Sequence, residues 1–305
     1  MNAIAQLQGE EDQLRLLRAR SALYSRASTL AVLQVILAVL FPVAGAIISI
    51  WHPELRAPVA AMSLAILAID ALVIDRHQKL ILRRAAKIIE QFDCVVLSMP
   101  WASFVVGARA EVEDINKAAA QYSKRHDDSM VLAWYPESVG RMPIHIARII
   151  CQRSNLRYGS QLRHGYSSAI SYAVFGLIAL LIGAGFAQNL RMHDWILAVA
   201  PATPILAWAA REFYRHRDMA EGLEELLSKA NDLWERARSG EYSAEVCELK
   251  SRDLQNAIYW RRAAGPVVLS FLYRWNRTDL ENEMRQTVDA MSRETIGRSS
   301  PSKAH

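Results

Sequence analysis

The sequence predicts an all-α membrane protein: four transmembrane helices in two hairpins, with a cytoplasmic α-helical bundle. Two uncharged stretches, Ala27–Trp51 and Gly165–Leu190, each exceed the roughly 20 apolar residues that span a bilayer. No window shows the sustained alternation of apolar and polar residues that is typical of strands. Lys and Arg gather on one side of every predicted span, which is typical of the cytoplasmic side of a membrane.

Each long stretch is followed by a short connector and by a weaker apolar segment. Ala57–Ile74 is apolar apart from Asp70, and Trp195–Ala210 is uncharged but contains two prolines. A chain that crosses a membrane and meets a second apolar segment after a short connector is expected to cross back. The pattern therefore predicts transmembrane hairpins over residues 29–75 and 167–210.

The remaining residues are predicted to form cytoplasmic helices. They divide into an N-terminal helix (1–28), a central insert (76–166) and a tail (211–296), followed by a disordered end (297–305). Because the basic residues lie in these segments, both termini are predicted to be cytoplasmic. Helical periodicity predicts that the insert begins as a continuation of the second span, and that a helix starting at Pro143 runs into the third span.

Two smaller features complete the helix assignment. Thr278, followed three residues later by Glu281, has the spacing of a capping box, which predicts that the last helix begins near Thr278. The three cysteines occur without a CxxC pair on the predicted cytoplasmic side, so they are expected to be buried thiols and not disulfides.

The sequence gives no support for catalysis. The motifs GxGxxG, GxxxxGK[ST], HExxH and GxSxG are absent, and the eight histidines are dispersed without ligand spacing. We therefore predict no enzyme activity, no catalytic residue, no metal site and no cofactor.

One carboxylate lies inside a predicted span. Asp70 is about one turn from the cytoplasmic end of the second span. Carboxylates within a membrane are costly and usually face a protein interior or water, which makes Asp70 a candidate pore or gate residue. The alternative is a side chain that reaches the nearby interface and has no role in a pore.

Two predicted helix faces carry groups that bind phosphates and bases. Arginine forks suit phosphates, amides read base edges, and aromatic rings stack on bases. The same arginines also suit a solvated helix face that is attracted to anionic lipid, and the spacing leaves both interpretations open. The two faces are Arg148, Gln152 and Asn155, and Arg252, Gln255, Tyr259 and Arg262.

Six blocks of the chain carry a family resemblance. In order they are QLQGEEDQLRLLRARSALYSRAS at Gln6–Ser28, EQFDCVVLSMPW at Glu90–Trp101, WYP at Trp134–Pro136, CQRSNLRYGSQLR at Cys151–Arg163, SRDLQNAIYWRR at Ser251–Arg262 and FLYRWNRTDLENEM at Phe271–Met284. Their order, with the two hairpins between them, resembles the SMODS-associating four-transmembrane effector family of antiphage systems.

The resemblance implies an antiphage effector in the bacterial inner membrane that is functionally linked to a cyclic-oligonucleotide synthase. It implies a homo-oligomer that binds a cyclic nucleotide messenger on its cytoplasmic side, not nucleic acid. On binding, the effector would oligomerise or open, permeabilise the membrane and cause abortive infection. The alternative is a constitutive membrane scaffold, or an ion channel that nucleotides do not gate.

Spacing and resemblance together select a set of predicted ligand contacts. The two tryptophans in this set are stacking candidates, for which a role in supporting the bundle is the alternative. The predicted contacts are Arg153, Asn155, Arg163, Arg252, Gln255, Tyr259, Arg262, Trp101 and Trp134.

Overall fold

The computed structural model describes residues 1–187, 191–192 and 203–299, and within these residues the chain is helical with no strand. The all-α class is therefore confirmed. The α-helices are α1 (Ile4–Leu7), α2 (Glu11–Val35), α3 (Phe41–Trp51), α4 (Arg56–Ile69), α5 (Asp75–Val96), α6 (Ser103–Val106), α7 (Val112–Ser123), α8 (Ile144–Ala187), α9 (Thr203–Ser239), α10 (Ala244–Ala264) and α11 (Ser270–Ser299).

Two π-helical turns interrupt the first hairpin without ending its helices. The first π turn, Ile36–Leu40, joins α2 to α3, and the second π turn, Asp70–Ile74, joins α4 to α5. A 3₁₀ turn at Pro53–Leu55 links the two long helical rods. The second rod extends from the start of α4 to the end of α5, so the insert does continue from the second apolar segment as one helix.

Helix α5 ends in a turn that is held by a buried arginine. Ser98 adopts a left-handed conformation with φ of 52°, which stops the helix after Val96. Arg148, on α8, donates from Nε to the carbonyl of Leu97 and from Nη2 to the carbonyl of Ser98, both at 2.8 Å. This arginine, predicted to share a face with Gln152 and Asn155, therefore caps the end of α5.

Helix α8 is a single element that begins directly after Pro143 and continues to Ala187. The predicted continuity between the insert and the third apolar segment is therefore confirmed. Helix α9 makes the most extensive packing contact of the chain with α8. Residues 188–190 and 193–202, which hold most of the predicted tip and the start of the fourth span, lie outside the described residues.

The main apolar core lies in the part of the molecule predicted to be cytoplasmic. It combines side chains from α1, α2, α5, α7 to α11 and the loop that precedes α8. Its fully buried members include Leu17, Phe92, Tyr135, Ile149 and Ile150. All three cysteines are free and buried, as predicted. A bundle with this much buried apolar surface gives a fixed frame for the polar groups inside it.

The start of the last helix and the number of membrane spans were both predicted from the sequence. The last helix does not begin at Thr278, because α11 starts at Ser270 and Thr278 lies within it, so the capping-box assignment is wrong. Among the described residues, one helical stretch, Glu11–Gly45, has the length and apolar composition needed to cross a membrane. The four-span topology is not confirmed by this structure and stays a prediction. Residues 300–305 of the predicted disordered end lie outside the described residues.

Candidate functional site

Two carboxylates lie fully buried on one face of α5. Glu90 and Asp93 are both 0% exposed, and their three-residue spacing places them on the same side of the helix. The adjacent Ile89 and Phe92 pack in the main core. A carboxylate buried this deeply requires a cation or several hydrogen-bond donors.

Helix α10 supplies cations and an amide to this pair. Arg252 donates from Nη2 to Oε1 of Glu90 at 2.6 Å, and Arg262 donates from Nη1 to Oδ2 of Asp93 at 2.5 Å. Between these ion pairs, Nε2 of Gln255 donates to Oε2 of Glu90 at 2.8 Å and to Oδ2 of Asp93 at 3.0 Å. Three predicted ligand contacts therefore converge on the two carboxylates.

Groups from α8 and its preceding loop complete the arrangement. Nε2 of Gln152 donates to Oε1 of Gln255 at 3.0 Å, and the Tyr135 hydroxyl donates to Oδ1 of Asp93 at 2.8 Å. Nδ2 of Asn155 in turn donates to that hydroxyl at 2.9 Å. We call this set the carboxylate network; its members are Glu90, Asp93, Tyr135, Gln152, Asn155, Arg252, Gln255 and Arg262.

Burial and the neighbouring charges set the protonation of the network. Burial alone would lower the pKa of Arg262, but the Asp93 carboxylate outweighs it and the pKa is raised. Burial, and then the charge of Asp93, raises the pKa of Tyr135 well above its ordinary value. Burial, and then the charge of Glu90, raises the pKa of the adjacent Cys94 thiol to about 12. The arrangement therefore combines a charged Arg262 with a neutral tyrosine and a neutral thiol.

Three other predicted ligand contacts lie outside the carboxylate network. Arg153 donates from Nε to Oδ1 of Asn231 on α9 at 2.5 Å, and Arg163 donates from Nη1 to the carbonyl of Pro266 at 3.0 Å. Burial lowers the pKa of Arg163 to about 10. Tyr259 is buried in a small apolar cluster beside Ala86. The structure does not bring these three residues into the carboxylate network.

The two tryptophans make contacts within the bundle. Nε1 of Trp101 donates to the carbonyl of Gly107 at 2.9 Å. Trp134 packs edge-to-face on Phe92, with ring centroids 6.3 Å apart, while the guanidinium of Arg20 lies 5.0 Å from its ring. Both contacts match the supporting role that was the alternative to stacking on a ligand.

A second polar cluster surrounds Asp70 at the predicted membrane border. Asp70 is 2% exposed; its Oδ1 accepts from Nε2 of Gln34 and its Oδ2 from Nη2 of Arg211, both at 2.7 Å. Nε2 of Gln78 donates to Oε1 of Gln34 at 2.9 Å. Together with the ion pair of Asp75 and Arg215 at 3.2 Å, these contacts form what we call the border network.

Sequence reasoning missed the acidic half of the carboxylate network and the partner of Asp70. Glu90 and Asp93 interrupt an apolar helix face, and this interruption was the available signal that they need buried partners. Arg211 directly follows the fourth predicted span, where a basic residue is expected from membrane orientation alone. A carboxylate in an apolar segment predicts a nearby cation, but the sequence does not say which of the many arginines provides it.

Comparison with known proteins identifies the family. The chain matches the profile of the SMODS-associating 4TM effector domain over residues 2–291. The chain belongs to this family. The resemblance found in the six sequence blocks is thereby confirmed, and the family description includes four transmembrane segments. No solved structure matches this chain significantly.

One curated relative of this 4TM effector is a probable CBASS effector molecule of Bacillus cereus strain VD146. It is 22% identical over 286 residues, which cover 90% of this chain and 93% of the relative. The similarity therefore extends over the helices predicted to be cytoplasmic as well as the apolar hairpins. Within the described residues, no group of three or more His, Cys, Asp or Glu side chains is arranged to hold a metal ion.

Proposed function

We propose that this chain is an antiphage defence effector that binds a cyclic nucleotide messenger on its cytoplasmic side. Binding then opens the inner-membrane assembly, or drives its oligomerisation, so that the membrane is permeabilised and the infection aborted. Family membership and the relative's name support the defence role.

The observation that carries the proposal is the convergence of Arg252, Gln255 and Arg262 with two groups of α8 in one network. Arginine forks and amides are the donors best suited to phosphates and base edges. Two of the helices that pack against α10 lead towards the apolar segments, since α5 continues from α4 and α8 extends to Ala187. A rearrangement of the network would therefore act on both hairpins.

The two ion pairs of the carboxylate network determine how a messenger can bind there. Glu90 and Asp93 already neutralise Arg252 and Arg262, so an anionic ligand finds no uncompensated charge there while α10 rests on α5. The messenger's phosphates would use these arginines only after replacing the carboxylates. Binding is then coupled to separation of α10 from α5, because the ligand favours the separated state by its difference in affinity.

The energetic requirement is moderate. A shift from mostly closed to mostly open needs a difference of about 5.5 kcal/mol between the affinities for the two states. Charge-assisted contacts contribute about 1.5–3 kcal/mol each, so two to four such contacts reach that value. Contacts shared between protomers would make the response cooperative.

The test is dye leakage from proteoliposomes that contain the full chain, with a panel of cyclic di- and trinucleotides added to the cytoplasmic face. We expect at least one messenger to cause leakage. Arg252→Lys keeps a charge beside Glu90 but loses the planar fork, so it should raise the half-maximal messenger concentration by about tenfold. Arg236→Lys, at an exposed arginine paired with Asp232, is the matched control and should respond like wild type.

Two results would count against the proposal in different ways. If no messenger of the panel causes leakage, the messenger-gated function is wrong. If one does but Arg252→Lys responds at the wild-type concentration, the function stands and the carboxylate network is not the binding site.

A constitutive scaffold is the second candidate, and one observation favours it. Arg252 and Arg262 already have partners within the chain, which is what a purely structural ion-pair network requires. A scaffold would bind none of the cyclic nucleotides in a calorimetric titration, and its membranes would stay sealed in their presence.

A further inference from the structure

The border network contains two parallel ion pairs whose spacings do not match on a regular helix. Asp70 pairs with Arg211 at 2.7 Å and Asp75 pairs with Arg215 at 3.2 Å. The two arginines are four residues apart on α9 and therefore lie on one face of that helix. The two aspartates are five residues apart.

The second π turn resolves this mismatch. An α-helix turns by about 100° per residue, so residues five apart would point about 140° away from each other. Only one of the two aspartates would then face α9. The second π turn, Asp70–Ile74, has i to i+5 hydrogen bonding and accommodates one extra residue, which places both carboxylates towards α9.

The first π turn lies beside the same contact. Gln34, which donates to Asp70, is followed almost directly by the first π turn at Ile36–Leu40. Gln78 continues the chain of amides by donating to Gln34. Both helical rods of the first hairpin are thus tied to α9 through buried polar groups, next to positions where each rod departs from α-helical geometry.

We propose that the second π turn and its two ion pairs form a latch that holds the first hairpin against α9 in the closed state. Opening converts the π turn to regular α-helix, which rotates Asp70 by about 100° relative to Asp75 and removes it from Arg211. This inference rests on the proposed function, because it assumes that closed and open states exist. It assigns Asp70 and Arg211 to the closed state only.

Four variants of the chain test the latch. Deleting Leu72, whose side chain is exposed, removes the extra residue without taking a side chain from the core. Asp70→Asn keeps the shape of the side chain and removes its charge. The double variant Asp70→Arg with Arg211→Asp reverses the pair and keeps both charges. Arg217→Gln removes an exposed ion pair with Glu221 on the same helix and serves as the matched control.

Messenger-free dye leakage from proteoliposomes is the first measurement. We expect Asp70→Asn to leak about tenfold faster than wild type, since losing a charged hydrogen bond shifts an equilibrium by at least that factor. The Leu72 deletion leaves the two aspartates four residues apart on a regular α-helix, where both still face α9, so it should leak no faster than wild type. The charge-reversed double variant restores the ion pair but leaves Nε2 of Gln34 without its acceptor, so it should leak more slowly than Asp70→Asn. Arg217→Gln should leak at the wild-type rate. If Asp70→Asn leaks no faster than wild type, or if the Leu72 deletion leaks as fast as Asp70→Asn, the latch is wrong.

The second measurement does not depend on a pore or a messenger. Melting temperatures in detergent are compared for Asp70→Asn, Arg211→Gln and the variant with both changes. If the pair exists, the double variant loses little more than either single variant; fully additive losses would overturn the latch. If no messenger makes wild-type liposomes leak but Asp70→Asn liposomes leak without messenger, messenger gating is contradicted and the latch is supported. If a messenger makes wild-type liposomes leak but Asp70→Asn liposomes do not leak without messenger, messenger gating is supported and the latch is contradicted.

Discussion

The carboxylate network and the border network each join two acidic residues of the α4–α5 rod to two arginines on a later helix. In the carboxylate network, the acids are spaced three residues apart on regular α-helix, and Arg252 and Arg262 are 12% and 18% exposed. At the border the acids are spaced five apart across the second π turn, and Arg211 and Arg215 are 35% and 28% exposed. The first network depends on burial, and the second depends on backbone register.

This difference predicts different roles. Buried charges cost free energy unless they stay paired, so the carboxylate network should dominate stability and should yield only to a ligand that supplies replacement charges. The border arginines can reach water when the aspartates turn away, so their ion pairs should be separable at lower cost. The chain would therefore bind the messenger at the carboxylate network, where separating the ion pairs costs more free energy. It would open at the border network, where separating them costs less.

The largest expected effect comes from removing one buried carboxylate. Asp93→Ala leaves Arg262 without its partner in the core and should lower the free energy of unfolding by about 3–5 kcal/mol. Asp70→Ala leaves the Nε2 donor of Gln34 without its acceptor but allows Arg211 to reach water, so it should cost about 1–3 kcal/mol. Denaturant titration in detergent measures both. If Asp70→Ala lowers the free energy of unfolding as much as Asp93→Ala or more, the proposed difference between the two networks is wrong.

The amide between the two buried ion pairs should come next. Gln255→Leu keeps the size of the side chain but removes the donor shared by Glu90 and Asp93, and it should cost about 3 kcal/mol. Gln286→Leu, at an exposed glutamine of α11, is the matched control. We expect a shift of the denaturant midpoint for the first variant alone, and similar midpoints for both would show that the shared amide contributes nothing.

Tyr135→Phe should have a smaller effect with a defined pH dependence. Loss of the hydrogen bond to Asp93 should cost about 1.5 kcal/mol near neutral pH. Because the folded-state pKa of Tyr135 is raised above its ordinary value of 10.0, its contribution is complete below pH 10 and declines as the pH rises further. Melting temperatures of wild type and Tyr135→Phe should therefore converge above pH 10. A constant difference through that range would contradict the assignment.

The smallest expected effect is a gain. Ser98 has φ of 52° at the turn that ends α5, and glycine adopts this conformation without a steric penalty. Ser98→Gly should raise the free energy of unfolding by about 1 kcal/mol or less, and it keeps the carbonyl that Arg148 binds. Ser129→Gly, in a 3₁₀ turn where the serine has no positive φ, should instead lower the free energy of unfolding, because the hydrogen bond from its hydroxyl to Asp127 is lost. A loss of stability in Ser98→Gly would mean that the serine side chain matters there.

Sequence patterns predicted the helical class, the continuity of α8 with the third apolar segment and the shared face of Arg252, Gln255 and Arg262. These features follow from local periodicity, which the sequence displays directly. The partners of these side chains could not be predicted, because long-range packing decides whether an arginine meets a phosphate, a lipid or Glu90. Thr278 illustrates the same limit, since its local capping pattern is overridden by the helix that surrounds it.

The second π turn had no signal in the sequence at all. Nothing in the residues Asp70–Ile74 marks an extra residue in the helix, and the turn is recognised only from the backbone and from the two ion pairs that it aligns. The place of Asp70 in an apolar segment makes it a candidate pore or gate residue. The structure adds Gln34 and Arg211 as its partners.

The most direct test of the central claim is a calorimetric titration of wild type and Glu90→Gln with cyclic di- and trinucleotides. If Glu90 holds Arg252 in place of a messenger phosphate, removing its charge should strengthen binding of the cognate messenger by about tenfold. Glu225→Gln, at an exposed carboxylate paired with Lys229, should bind like wild type. Absence of binding to every nucleotide, or equal affinity of wild type and Glu90→Gln, would contradict the account.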